Sequence, residues 1–151
     1  MGRRLAIAVL FCIAPVICVC VAQQRSHKLS DYAGAWQAKF QGTTFMTINL
    51  VEKKGHLAGS ATFGDIQADP NGAIKEVDAP SDESEWTIVS SRLLPSHDLE
   101  VTSQGENETI IVVLKLIDAK TGSVRFGTPP GGAFLVLKPI IMQKLEQDLH
   151  Q

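Results

Sequence analysis

After residue 20 the chain contains no cysteine: its three, Cys12, Cys18 and Cys20, all fall near the start of 151 residues. Disulfides and thiolate nucleophiles are therefore excluded from everything downstream. A basic excess is missing too. With 14 Lys plus Arg against 16 Asp plus Glu and no basic cluster, the composition argues against nucleic acid and against anionic membrane surfaces as partners. Histidine is sparse, and none of His27, His56, His97 and His150 stands two or four residues from another, so no transition-metal cluster is expected. No long amphipathic helix interrupts the chain before its tail. What it has instead is one apolar run at its start and short alternating segments thereafter.

The opening Met1-Gly2-Arg3-Arg4, the apolar run Leu5 to Val21 and the polar stretch after Ala22 have the three-part layout of a signal peptide. Ala22, with Cys20 two positions before it, suits a signal peptidase, so residues 1–22 are read as the signal. An uncleaved anchor fits less well, because the run is 17 residues against the roughly 20 of a spanning helix and Pro15 interrupts it. The paired arginines alone are a weak match to the twin-arginine route. Phe11, Ile17 and Val19 precede the cysteines where a lipoprotein needs a small residue. The expected location is secreted or periplasmic, with no stable membrane anchor.

Without residues 1–22, which hold Arg3 and Arg4 and no acid, 129 residues remain with a formal charge of −4. That is one domain, long enough for a core without disulfide or metal. Residues 23–30 are read as a disordered linker and 31–151 as the domain. Segments rich in Val, Ile, Thr and aromatics are separated by Gly, Pro, Asn and Asp at roughly eight- to twelve-residue intervals, the spacing of antiparallel β structure.

Trp36, Ala38 and Phe40 alternate with Gln37, Lys39 and Gln41, giving a strand with one apolar face. Met46, Ile48 and Leu50 do the same on the next, and Lys53-Lys54-Gly55 turns the chain into a hairpin. Its return strand carries Leu57, Gly59, Ala61 and Phe63, a face small enough near Gly59 and Ala61 to take Trp36. Further strands are expected at 66–68, 73–77, 86–94, 98–103, 109–117, 123–127 and 133–137, with a polar acidic loop at 78–85. The segment 109–117 is the most hydrophobic and should be central. In the tail, Ile141, Leu145 and Leu149 recur every four residues after Pro139, which predicts a C-terminal helix over 139–150 with Lys144 and Asp148 toward water. The fold class is all-β: an antiparallel up-and-down meander of about eight to ten strands that escapes exposed edges by closing, fully or partly, into a barrel.

Gly34-Ala35-Trp36 on a first strand, ahead of a β meander and a terminal helix, resembles the Gly-x-Trp opening of the lipocalin and calycin β-barrels. The chain is more similar still to small exported bacterial β-barrel domains of uncharacterised function that open Gly-x-Trp-x-Ala-x-Phe, here Gly34 to Phe40, and turn into Leu-x-Gly, here Leu57 to Gly59. The resemblance implies a lipocalin-like barrel with Trp36 plugging one end and stacked on a late-strand arginine, for which Arg125 is the candidate and Lys138 the fallback. The Thr-Asp-Tyr turn of lipocalins has no counterpart here.

Motifs of chemistry do not survive inspection. The acids Glu76, Asp78, Asp82, Glu83 and Glu85 do not fit a calcium loop: aligned on Gly72, the first and ninth ligand positions fall on Gln67 and Lys75. Ser96, His97 and Asp98 are adjacent, whereas triads assemble from separate elements, and no Gly-x-Ser-x-Gly elbow exists. Gly127 to Gly132 lacks the lysine and helix of a phosphate loop and reads as a turn. Asn107-Glu108-Thr109 is a glycosylation sequon, meaningful only in a eukaryotic secretory route. No cofactor and no metal is expected, and no catalytic residue is assigned.

The function expected is a non-enzymatic binding module, with Trp36, Phe40, Phe63, Trp86 and Arg125 as candidate ligand contacts and an apolar small molecule or an exported protein as partner. A carboxylate-based hydrolase using Asp65 with an acid of 76–85 is the alternative, as is a structural or inhibitory partner of another exported protein. The exported chain is expected to begin at Gln23 and to contain no thiol; intact mass and thiol titration check this, and a mature species retaining Cys18 or Cys20 defeats it.

Overall fold

The computed structural model describes residues 26–81, 85–127 and 137–146. A short helix α1 (Leu29–Tyr32) precedes ten strands: β1 (Gly34–Phe40), β2 (Thr43–Lys53), β3 (His56–Phe63), β4 (Ile66–Ala68), β5 (Ile74–Val77), β6 (Glu85–Leu93), β7 (Leu99–Gln104), β8 (Thr109–Leu116), β9 (Thr121–Phe126) and β10 (Ile140–Lys144). Eight of them close a barrel in the order β1-β10-β9-β8-β7-β6-β3-β2, and β4 pairs with β5 as a separate hairpin. Every pairing is antiparallel. Over the described residues the chain is therefore a meander with one excursion, and β1 meets β10 across the seam.

Local chemistry explains the tight corners. Gln41-Gly42 and Lys54-Gly55 both run at positive φ between paired strand residues Phe40↔Thr43 and Lys53↔His56, the two-residue turn whose twist matches its strands. Gly59 has a different reason from the bulky neighbour that its small size implied. A side-chain carbon there would lie 1.9 Å from the Asn49 carbonyl oxygen, at φ +148, so it is the partner backbone that demands glycine. Where the β3–β6 ladder stops at Gly59↔Ile88, the Ser91 hydroxyl takes over, donating to Leu57 O at 2.8 Å and accepting from Leu57 N at 2.9 Å.

Alternation then fills the interior. Trp36 and Ala38, Met46, Ile48 and Leu50, Leu57 and Ala61, Leu99 and Val101, Val112 and Leu114, Val124, and Ile140 and Met142 are all buried in one cluster. An eight-stranded ring is just wide enough for such side chains to meet. In a closed ring no strand is central, but β8 is buried on both faces at Val112, Val113 and Leu114.

Two readings need correcting. Residues 140–144 form a strand rather than the start of a helix, pairing Trp36↔Lys144 on one side and Met142↔Gly122 on the other. The segment satisfies both periods, and the unpaired edges of β1 and β9 decide between them. Ile140 and Met142 face inward, whereas Ile141 and Leu145 are 52% and 41% exposed; Asp148 and Leu149 lie outside the described residues. Leu29 and Ser30, assigned to a linker, are the first half of α1. The strand expected at 133–137 lies, but for Leu137, outside the described residues.

Met142→Ala is accordingly expected to cost about 2–5 kcal/mol, as large-to-small changes in a packed core do, and Leu145→Ala under about 1 kcal/mol. Chemical denaturation of the two variants checks the ranking, and equal losses would restore the helical reading of the tail.

Candidate functional site

Strand direction gives the barrel two unlike ends. At one, α1 folds over the opening. Its first turn is fixed by a reciprocal pair, Lys28 N donating to Asp31 Oδ2 at 2.8 Å and Asp31 N to Lys28 O at 3.0 Å. This places Tyr32 in the core, where its hydroxyl donates to the His97 carbonyl at 2.6 Å, while the Tyr32 carbonyl accepts from Trp36 Nε1 at 2.8 Å. Two buried aromatics thus satisfy their polar tips on backbone.

Trp36 is buried at this end as expected, but its cation is different. Arg125 is exposed on the outer face of β9, and Lys138 is exposed at the far end of the barrel, where its amide donates to Gly72 O. The ammonium over the indole is that of Lys144, 5.2 Å from a ring centroid and donating to Asp31 O at 3.0 Å. Its stem crosses Gly34, where a side-chain carbon would come within 2.6 Å of Lys144 Cε. The glycine of Gly34-Ala35-Trp36 is the gap through which the lysine reaches the ring. Burial holds the Lys144 ammonium below the ordinary lysine pKa, with the Asp31 charge opposing.

The other end gathers Phe63, Trp86 and Phe126. Phe63 meets Trp86 edge-on at 5.9 Å and Phe126 at 6.4 Å, and Phe40 packs partly buried against the same core. The β4–β5 hairpin inserts here between β3 and β6, with Ile66, Ile74 and Val77 against the core. Gly64 N donates to Phe45 O at 2.7 Å and Asp78 N to Asp65 O at 3.0 Å, clamping the hairpin's stem. At the rim of this end, Trp86 borders an open cleft of about 700 Å³ with Glu85, Glu106, Asn107 and Glu108, and a side-chain carbon at Gly105 would come within 3.1 Å of its ring. Of the candidate contacts, Phe40, Phe63 and Trp86 share this end, Trp36 sits at the opposite one, and Arg125 joins neither.

Other groupings are structural. Ser96 donates to Asp98 Oδ2 at 3.1 Å, closing a turn in which His97 takes φ 63 and offers its carbonyl to Tyr32. Asp65, Glu76, Asp78 and Glu85 are exposed, whereas Asp82 and Glu83 lie outside the described residues. Among the described residues no three of His, Cys, Asp and Glu come together as metal ligands. Sequence reasoning missed Tyr32, Phe126 and Lys144. Tyr32 ends α1 and Trp36 lies in β1, so no single periodicity spans the pair and their contact had no signal in the spacing.

Tyr32 is the only tyrosine of the chain, so its phenol can be titrated directly. Desolvation first, then the Asp98 charge, push it up from 10.0 to about 12, with the Leu116 backbone and Asp31 as smaller influences. Because the folded value is the higher one, the stabilising contribution is complete below pH 10 and is lost as pH rises to about 12. Tyrosinate absorbance of the folded chain is expected to rise near pH 12 and that of the denatured chain near 10; titration near 10 with the fold intact would place the hydroxyl in water.

Compared with family models, curated proteins and solved structures, the chain matches none.

Proposed function

We propose that this chain is an exported, non-enzymatic β-barrel binding module of lipocalin-like plan, and that it recognises another exported protein on the outside of its aromatic end instead of carrying a small molecule within. The observation that carries this is the filled interior: Trp36, Met46, Ile48, Leu99, Leu114 and Met142 are essentially without solvent contact inside the ring. A drug-sized ligand needs about 300 Å³ or more of concave space, and among the described residues buried side chains occupy the ring's interior. Recognition therefore falls to surfaces. At the hairpin end a partly exposed Trp86 borders the cleft carrying Glu85, Glu106, Asn107 and Glu108, and partly exposed tryptophans are frequent anchors of protein interfaces. The lipocalin-like plan draws support from the eight-stranded closure and from the cation on Trp36. Nothing specific favours the carboxylate hydrolase, since Asp65 and the described acids of 76–85 are exposed to solvent.

Two measurements test the reading. Titrated with palmitate, the purified chain is expected to show no saturable binding. A photoreactive phenylalanine analogue in place of Trp86, in the exporting host, is expected to yield a discrete protein adduct that the same analogue at Val51 does not. One-to-one palmitate binding, or identical adducts from both positions, would overturn it.

A further inference from the structure

A second cleft lies at the opposite end, beside α1, and is independent of the Trp86 surface. It is open, about 980 Å³, and its lining includes Asp31, Leu116, Ile117, Asp118, Ala119 and Lys144. From these residues we infer that it is a binding site for a small zwitterion with an apolar side chain, of the class of a branched-chain amino acid.

The sign of each wall sets the ligand. Lys144 is half-buried, gives one proton to the Asp31 carbonyl and lies against the Trp36 ring. Among the described residues no carboxylate comes within ion-pair distance of it. An ammonium has three donors, so this one keeps hydrogen-bonding capacity toward the cleft that it lines. A carboxylate is the group that such a cation takes.

A plain anion would meet two like charges. Asp31 borders the cleft from α1 and Asp118 from the β8–β9 turn. Asp118 accepts the amides of Lys120 and Thr121, both at 2.8 Å, which hold it firmly anionic. A carboxylate retains further acceptor sites beyond two amides, and these suit an ammonium. A plain cation, in turn, would meet Lys144. Only a ligand carrying both charges is matched at both walls.

The third wall is apolar. Leu116 is buried, but Ile117 beside it is 56% exposed in a turn where polar residues are the rule. Its side chain borders the same cleft and gives an aliphatic ligand group something to cover. The turn itself is rigid: Ile117 N and Asp118 N both donate to Thr121 O. The site is thus built before any ligand arrives.

Nuclear magnetic resonance titration of the mature chain with three probes decides the matter: leucine, 4-methylpentanoate, which lacks the ammonium, and 3-methylbutylamine, which lacks the carboxylate. Leucine is expected to give saturable shifts centred on Ile117 and Ala119, with each single-charge analogue binding at least about ten-fold weaker, the factor that about 1.4 kcal/mol supplies. Lys144→Gln should abolish the shifts, but it also loosens Trp36. Ala119→Trp therefore serves as the second variant, filling the cleft from an exposed turn, and it should abolish binding with the melting temperature unchanged. The inference is overturned by leucine failing to saturate, by either analogue binding as tightly as leucine, by Ala119→Trp retaining full binding, or by shifts centred on Trp86.

Discussion

Trp36 is the residue on which the two halves of the barrel agree. Its ring nitrogen is bonded to the Tyr32 carbonyl, one face carries the Lys144 ammonium, and its rim touches the space kept open by Gly122, where a side-chain carbon would come within 3.3 Å of Trp36 Cζ3. Gly122 pairs with Met142 and with Leu116, and Trp36 pairs with Lys144 and Ile48. One indole thereby sets the positions of α1, β1, β9 and β10, which are distant in sequence. An indole buries about 150–250 Å², and here that area lies where the sheet must close. Removing the ring would open the seam as well as hollow the core.

Much of the architecture was legible because alternation is a local property. Trp36, Ala38, Met46, Ile48 and Leu50 announce their inward faces from spacing alone, and the structure buries all five. The Gly34-Ala35-Trp36 opening also pointed to a plugged end with a cation on the ring. The cation was misassigned because the resemblance called for an arginine on a late strand, which Arg125 supplies, while the four-residue period of 139–150 set Lys144 toward water. Which period governs a short segment depends on the edges available to it, and the open edges of β1 and β9 are not visible in the tail's own residues.

The candidate site was less legible, again for physical reasons. Phe63 and Trp86 are inward-facing at Met46↔Phe63 and Ala61↔Trp86, as core residues would be. Only their place near the end of the ring leaves them partly exposed. The Lys144 cleft could not be read at all, because it joins α1 to the β8–β9 turn and to the last strand. Polar residues scattered through turns and a lysine at the end of a strand carry no pattern until the barrel places them together.

Because β1 pairs with β10, the fold has an order built into it. As the chain emerges from its N-terminal side, β1 can zip to β2 and β2 to β3 at once, but the outer edge of β1 has no partner until residue 144 is available. Loop closure over that distance is entropically slow, and non-local pairing of this kind lengthens folding times. Until then an open ladder presents unpaired amides and carbonyls, the surface on which sheets associate wrongly. Holding back residues 140–144 would thus hold the whole barrel open, which makes the arrival of β10 the event that commits the chain to its native state.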